Sequence, residues 1–153
     1  MGMPKEYDAV TDMLDRNIER GFGDKPAFID PDRTLTYRAL QVATRQMGNV
    51  LCDLGCRRES RVAMLMFDTV DYPIVFWGAI RAGVIPVCLN TLLTTAQYDY
   101  ILSDSRVEVL LVSAPLLEVV QPLLGHLKFL RHVVVLGGDG VDYPELKDLL
   151  DGA

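Results

Sequence analysis

Reaction chemistry in a protein needs carboxylates, thiols, imidazoles, hydroxyls or a glycine-rich backbone in fixed mutual positions. This 153-residue chain offers a short set of candidates. Asp68, Thr69 and Asp71 follow the apolar run "RVAMLMF", where a phosphoacceptor carboxylate could sit. That chemistry also wants an acidic pair at an earlier strand end and a lysine at a later one, and neither is present. Asp71 as the cap of the next helix, with Asp68 as a loop carboxylate, is the simpler account. Ser113 follows "VEVLLV", but no histidine can be placed beside it as a base, so it reads as a helix N-cap. The glycine-rich "GGDG" at 137–140 could turn backbone N–H groups toward a phosphate. No Lys-Ser or Lys-Thr follows it, so a flexible turn fits better. "GFGDKP", from Gly21, follows a helix and lacks a third glycine.

The remaining reactive side chains are dispersed. Three cysteines, Cys52, Cys56 and Cys88, supply no second pair for a tetrahedral metal site, and their odd number suits reduced thiols in a cytoplasm. His126 falls late in a helix and His132 begins a strand, positions that helix-end charge and sheet-end hydrogen bonding explain. The six methionines and the Phe67, Phe76, Trp77 group read as core. Local chemistry alone pairs no nucleophile with a base and no carboxylate with another.

The elements that would position these residues alternate. A helix over 8–20 carries Val10, Met13, Leu14 and Ile18 on one stripe and stops at Gly21 and Gly23. "AFIDPDRTLTY" reads as a hairpin turning at Pro31 and Asp32. Thr36 caps a helix that ends at Gly55. Next come the strand "RVAMLMF", a helix "DYPIVFWGAIRAG" with Pro73 in its first turn, and the strand "VIPVCL". A capping box from Thr94 to Gln97 opens another helix. The strand "VEVLLVS", a helix from Ser113 and Pro115 to about Leu127 with a kink at Pro122, the strand "HVVVLG" and a short helix announced by Asp142, Pro144 and Glu145 complete the chain. Pro86 sits where a strand needs ladder hydrogen bonds, which implies an unpaired position or an irregularity. Strand–helix alternation with short connections predicts a doubly wound α/β fold: a mainly parallel sheet with helices on both faces, plus a short N-terminal β-hairpin.

Composition narrows the function classes. A net charge of −6 without a basic stripe speaks against a nucleic-acid partner. The longest apolar runs, around 74–80 and 82–93, are too short and too broken for a membrane span, and "MGMPKEYD" has no secretory h-region. Residues 1–7 read as a disordered or tag-like start. Gly2 does not make a myristoylation site, since Glu6 stands where that motif wants Ser or Thr.

Several segments taken together carry a resemblance. "LTY" opens a helix, "GAIRAGVIPV" forms helix, turn and strand, "LNTLLT" is a loop and "YILSDS" the next helix; "DTVDYP", "DRNIERGFGDKPAFID" and "LRHVVVL" extend the pattern over nearly the whole chain. These motifs resemble the N-terminal region of adenylate-forming acyl- and aryl-CoA ligases, most closely the benzoate type. The resemblance implies an aromatic carboxylate substrate, ATP, CoA and Mg²⁺ in a full-length parent. The carboxylate attacks the α-phosphate, pyrophosphate leaves, and the CoA thiol then displaces AMP. It also implies that residues 1–153 are an incomplete N-terminal portion of the large adenylate-forming domain, because the family's phosphate loop, ribose-binding Asp, hinge and catalytic Lys find no counterpart in this chain. On that basis the chain alone is expected to be inactive and to bind none of these cofactors. It is also expected to be cytoplasmic and to self-associate through exposed apolar surface or a sheet edge. Some aryl-CoA ligases carry "NPRL" where this chain has Asn90-Thr91-Leu92-Leu93, so Asn90, Thr91 and Leu92 are expected to line a CoA entrance by shape, without a cation. A freestanding small-ligand binding module, or an interaction domain without catalysis, is the alternative.

Overall fold

Strands whose apolar side chains do not alternate need cover on both faces, and the chain supplies it. The computed structural model describes residues 7–138 and 142–153. The start of the tag-like segment, through residue 6, lies outside the described residues, as do residues 139–141 of the glycine loop. In chain order the elements are β1 (Pro26–Ile29), β2 (Thr34–Thr36), α1 (Tyr37–Asp53), β3 (Arg61–Leu65), α2 (Asp71–Arg81) and β4 (Ile85–Cys88). They continue with α3 (Thr95–Asp104), β5 (Val109–Ser113), α4 (Leu117–Val120), β6 (His132–Leu136) and α5 (Leu146–Asp151). β1 and β2 form an antiparallel hairpin, and the other four strands form a parallel sheet in the order β4-β3-β5-β6. The predicted doubly wound layout is therefore the observed one.

Side-chain alternation divides the core. Val62, Met64, Met66, Val109, Leu111, Val134 and Leu136 pack with α1, α2 and α5 on one face. Ala63, Leu65, Leu110, Val112 and Val135 pack on the other with Tyr98, Leu102, Val120 and Leu123. Met13 and Phe67, expected in the core, are instead exposed; Phe67 lies just past the end of β3, where helix cover stops.

Helix ends are set locally. The Thr36 hydroxyl accepts the Ala39 N–H at 3.2 Å. At the other end of α1, Cys56 N–H bonds Leu51 O and Gly55 N–H bonds Cys52 O, with Gly55 at φ 79°. This is a Schellman stop. The same pair of bonds closes α2, from Val84 to Ala79 and from Gly83 to Ile80.

Three sequence expectations need correction. The first helix contains two π-wound stretches, Thr11–Asp15 and Ile18–Phe22; the Asn17 side-chain amide donates to Met13 O at 2.7 Å, competing for a ladder acceptor. The segment after β5 is a 3₁₀ turn (Ala114–Leu116), the short α4, and a second 3₁₀ turn (Gln121–Leu123). Pro115 and Pro122 each lack the N–H that a continuous helix requires. Asp71 is not the cap of α2: Val70 holds the N-cap position and has no side-chain cap bond of its own.

Both edges of the sheet are blunted. Ile85 N–H donates to Ser60 O and Leu89 N–H to Met64 O, so in the alternating ladder the position of Pro86 faces outward, where no partner is required. At β6, Val135 N–H donates outward to Pro144 O at 2.9 Å. Arg81, near the end of α2, holds Asp15 of the first helix at 2.8 Å. Burial pushes the Asp15 carboxyl up, but the Arg81 and Gln41 hydrogen bonds and the Arg81 charge outweigh it, leaving the group below its usual value.

The α1–α2 crossing depends on a missing side chain. A Cβ at Gly78 would lie 2.5 Å from Met47 Cβ and 3.2 Å from Thr44 O, whereas one at Gly48 would meet nothing closer than 3.8 Å. Gly78→Ala is expected to destabilise the protein by about 1–3 kcal/mol through overpacking. Gly48→Ala should be neutral or stabilising by up to about 1 kcal/mol through helix propensity. Urea denaturation of the two variants measures the contrast.

Candidate functional site

Parallel α/β sheets take ligands at the carboxyl ends of their strands, beside the point where strand order reverses. From β3 the chain passes to β4 on one side and returns to β5 on the other, so the reversal lies between the ends of β3 and β5. Ser113 closes that point. Its hydroxyl, buried with the rest of the residue, accepts the Phe67 N–H at 3.0 Å. The residue stands where an N-cap would, but its side chain makes no cap bond and ties two strand ends together.

Two shallow clefts open beside this junction. One, of about 290 Å³, is lined by Phe28, Ile29, Asp68, Thr69, Val70, Tyr72 and Pro73. The other, of about 270 Å³, is lined by Met66, Phe67, Asp68, Tyr72, Leu89, Asn90 and Thr91. Sharing Asp68 and Tyr72, they form one trough from the hairpin to the loop after β4. Among the described residues Asp68 is the only charged one lining either cleft. Burial pushes the Tyr72 phenol up, and its hydrogen bond with Cys88 adds to the shift, so it stays protonated as a donor.

Both ends of the trough are fixed by polar contacts. At the hairpin, Asp30 accepts the Asp32 and Arg33 N–H groups with Oδ1 at 2.9 and 2.7 Å. Its Oδ2 accepts the N–H of Val70, the α2 N-cap residue, at 2.8 Å. Arg33 reaches Asp71 at 2.5 Å. The helix is thus capped by a carboxylate forty residues earlier in the chain, and Asp71 anchors the hairpin. At the other end, Asn90 Oδ1 accepts the Leu92 N–H at 2.9 Å. The fully buried Tyr98 donates its hydroxyl to Asn90 O at 2.7 Å, and the predicted capping box forms between Thr94 and Gln97. Leu92 is left 89% exposed at the loop apex. Of the predicted site residues, Asn90 and Thr91 line the trough, while Leu92 lies outside its lining.

The other candidates stand apart from this trough. Gly137 and Gly138 donate their N–H groups to the two carboxylate oxygens of Glu145 at 3.0 and 3.2 Å, so this part of the glycine loop already holds an anion from its own chain. His126 pairs with Asp99 at 3.2 Å, and His132 begins β6 at the opposite end of the sheet. The Cys56 thiol is pushed up to about 11 by burial, with the Glu108 charge adding to the shift; it stays protonated and unreactive. Among the described residues no group of three or more His, Cys, Asp or Glu side chains converges on a metal position, and no helix is long and apolar enough to cross a membrane.

Asp30, Tyr72, Tyr98 and Glu145 all escaped the sequence reading as site-shaping residues. Asp30 gave a partial signal, because "DPDR" announces a turn; its bond to Val70 gave none.

These features define a doubly wound α/β scaffold with its trough at the carboxyl ends of the strands and almost no charge in it. Residues 14–150 match the AMP-binding enzyme family, and the chain belongs to that family. It is 44% identical over 146 residues to a 4-hydroxybenzoate–CoA/benzoate–CoA ligase of Rhodopseudomonas palustris (strain ATCC BAA-98 / CGA009), a match covering 95% of this chain and 27% of that protein. It is 40% identical over 141 residues to a benzoate–CoA ligase of Thauera aromatica, covering 92% and 27%. Among solved structures it superposes on the anthranilate CoA ligase AuaEII in complex with anthranoyl-AMP with a TM-score of 0.91 at 36% identity, covering 98% of this chain and 28% of that one. A benzoate CoA ligase from Burkholderia xenovorans LB400 gives 0.87 at 31%, covering 97% and 29%. The chain therefore spans between 27 and 29% of the length of these relatives.

Backbone hydrogen bonds, that from Val70 first, hold the Asp30 carboxyl below its usual range. Such a group stabilises the fold at pH above its unfolded value, about 4, and the contribution is lost as pH falls through its folded value. Asp30→Asn is expected to lower the melting temperature at neutral pH. The difference from the native chain should shrink as pH falls below about 4, as thermal melts across pH 2–7 would show.

Proposed function

We propose that this chain is the N-terminal part of an ATP-dependent ligase that joins a benzoate-like aromatic carboxylate to CoA through an acyl-adenylate. The 44% identity to a 4-hydroxybenzoate/benzoate ligase carries the proposal and supports the aromatic class of acid. In the reaction, a carboxylate oxygen attacks the α-phosphate and releases diphosphate; the CoA thiol then forms the thioester and AMP leaves. The trough does not fit a magnesium-bound triphosphate. Among the described residues its one charged lining group is the carboxylate of Asp68, which repels phosphate, and no described cation lines it to offset that charge. No step of the reaction is assigned to these residues. The counter-charges belong to polypeptide outside the matched quarter of the relatives, so residues 1–153 are an incomplete portion of the adenylate-forming domain and are inactive alone.

The loop after β4 has a narrower part. The Asn90 side chain is spent on the Leu92 N–H, which leaves the Thr91 hydroxyl and the projecting Leu92 to border the CoA entrance by shape. A small-ligand module remains the competing possibility, and the same assay separates the two. ATP–pyrophosphate exchange with benzoate is expected to be absent from the chain alone and present when the chain is fused to the remaining part of the R. palustris relative. Exchange by the chain alone would refute incompleteness, and a folded but silent fusion would refute the ligase assignment. In the active fusion, Leu92→Arg is expected to lower the KM for CoA with kcat unchanged, since a cation at the rim adds binding common to ground and transition states.

A further inference from the structure

The Asp68 carboxylate has no assigned role in this fold. Among the described residues no hydrogen-bond donor or cation lies within bonding distance of it, although it borders both halves of the trough. Isolated surface carboxylates are ordinary; the setting of this one is not. Phe28, Phe67 and Tyr72 line the trough on either side of it. Phe28 and Phe67 remain about two-fifths exposed, and Ile29 beside them is 72% exposed. The floor is rigid, held by the Asp30–Val70, Ser113–Phe67 and Tyr98–Asn90 hydrogen bonds. A carboxylate that shares its cleft with three aromatic residues, on a floor held by hydrogen bonds, matches one side chain best. Arginine offers a planar fork for the two oxygens and a flat cation for the rings.

We propose that the Asp68 trough is a docking seat for an arginine-bearing polypeptide segment, supplied by the part of an AMP-binding ligase that lies outside this chain. The proposal rests on the ligase assignment and adds to it which surface meets the rest of the enzyme and through which charge. Three observations favour that occupant. The match spans only 27% of the R. palustris relative, so nearly three quarters of such an enzyme must pack somewhere. The exposed apolar residues Phe28, Ile29 and Phe67 adjoin the same trough, and apolar surface of that kind marks an interface. Asp68 repels a phosphate placed directly against it, which leaves the Phe28–Asp68–Tyr72 part of the trough to a cationic occupant, while Thr91 at the far end stays free to border the CoA entrance.

The test is complementation in trans. This chain is produced together with a second polypeptide comprising the remaining part of the R. palustris ligase, and their affinity is measured by fluorescence anisotropy. The two are expected to associate. Asp68→Lys and Ile29→Asp should each weaken association at least tenfold, and Asp68→Asn less. Asp68→Lys should leave the melting temperature of the isolated chain unchanged, and Ile29→Asp, at an exposed strand position of the hairpin, should lower it only slightly. An arginine-to-alanine scan of the second polypeptide is expected to find one arginine whose loss weakens binding to the native chain, and its reversal to glutamate should restore binding to Asp68→Lys. Failure of the native chain to associate overturns the proposal, as does undiminished affinity of both variants. Self-association of the chain that the same variants abolish also overturns it, since a second copy would then be the occupant. The ligase assignment is judged separately by the fused enzyme: activity and melting there that ignore Asp68→Lys sink the docking seat alone, whereas a folded, inactive fusion sinks the assignment.

Discussion

Everything in this chain is arranged around two strands that water cannot reach from either side. β3 and β5 are apolar on both faces, with Val62 through Leu65 and Val109 through Val112 essentially inaccessible. A strand of that kind cannot sit at a surface, because each exposed large apolar side chain forgoes roughly 1.5–3 kcal/mol of burial against a total stability of about 5–15 kcal/mol. The cover must come from helices on both faces, and right-handed crossovers deliver it only if the chain moves outward from β3 in one direction and then in the other. The strand order β4-β3-β5-β6 is the consequence. The trough at the carboxyl ends follows in turn, because the order reverses between β3 and β5. Site position here is a product of burial.

Close packing then decides how well that cover holds. α1 and α2 approach so nearly at Gly78 that the Met47 side chain fills the space of the absent Cβ. The helix pair can therefore sit flat over Met64 and Met66, with Val75 and Ala79 sealed between them and the sheet. The same helix α2 carries the trough at its other end, where Val70 receives the Asp30 carboxylate. Helix packing and site geometry are thus two ends of one rigid body, and the hairpin docks on that body through Asp30 and Arg33. The blunted sheet edges belong to the same economy. Pro86 and the Pro144 contact remove the open ladders through which a parallel sheet would add strands.

Most of this architecture was legible from short windows of sequence. Thr36, the Thr94–Gln97 box, Gly55 and Gly83 declare helix ends through bonds that span three to five residues, and apolar runs without alternation declare buried strands. The two capping errors occurred where one partner of a bond lies far away, whereas the π-wound first helix and the broken segment after β5 have local causes in Asn17, Pro115 and Pro122. Asp71 looked like a cap because nothing local shows that Asp30 performs that task from forty residues upstream. Ser113 looked like a cap because the Phe67 N–H is forty-six residues distant. Glu145 does stand at the N-cap of α5 as expected, but nothing local announces that its carboxylate turns back eight residues to Gly137. The family was readable because its signature is local architecture, and Asp68, Thr69, Asn90 and Thr91 were readable as strand-end candidates; that they share one trough was not, because pairs separated by half the sheet compose it.

Electrostatics sets what this end of the sheet can hold. Acyl-adenylate formation moves negative charge onto a leaving diphosphate, and catalysis of such transfers consists largely of fixed positive charge and oriented dipoles. Around the trough the fold offers the reverse. Asp68 borders it, Asp71 is tied to Arg33, and the nearest glycine N–H pair is occupied by Glu145. Asp30, Asn90, Tyr98 and Ser113 are committed to holding backbone in place, whereas Asp68 and the Thr91 hydroxyl make no hydrogen bond among the described residues. A scaffold whose donors are satisfied internally needs no phosphate to complete its hydrogen bonds.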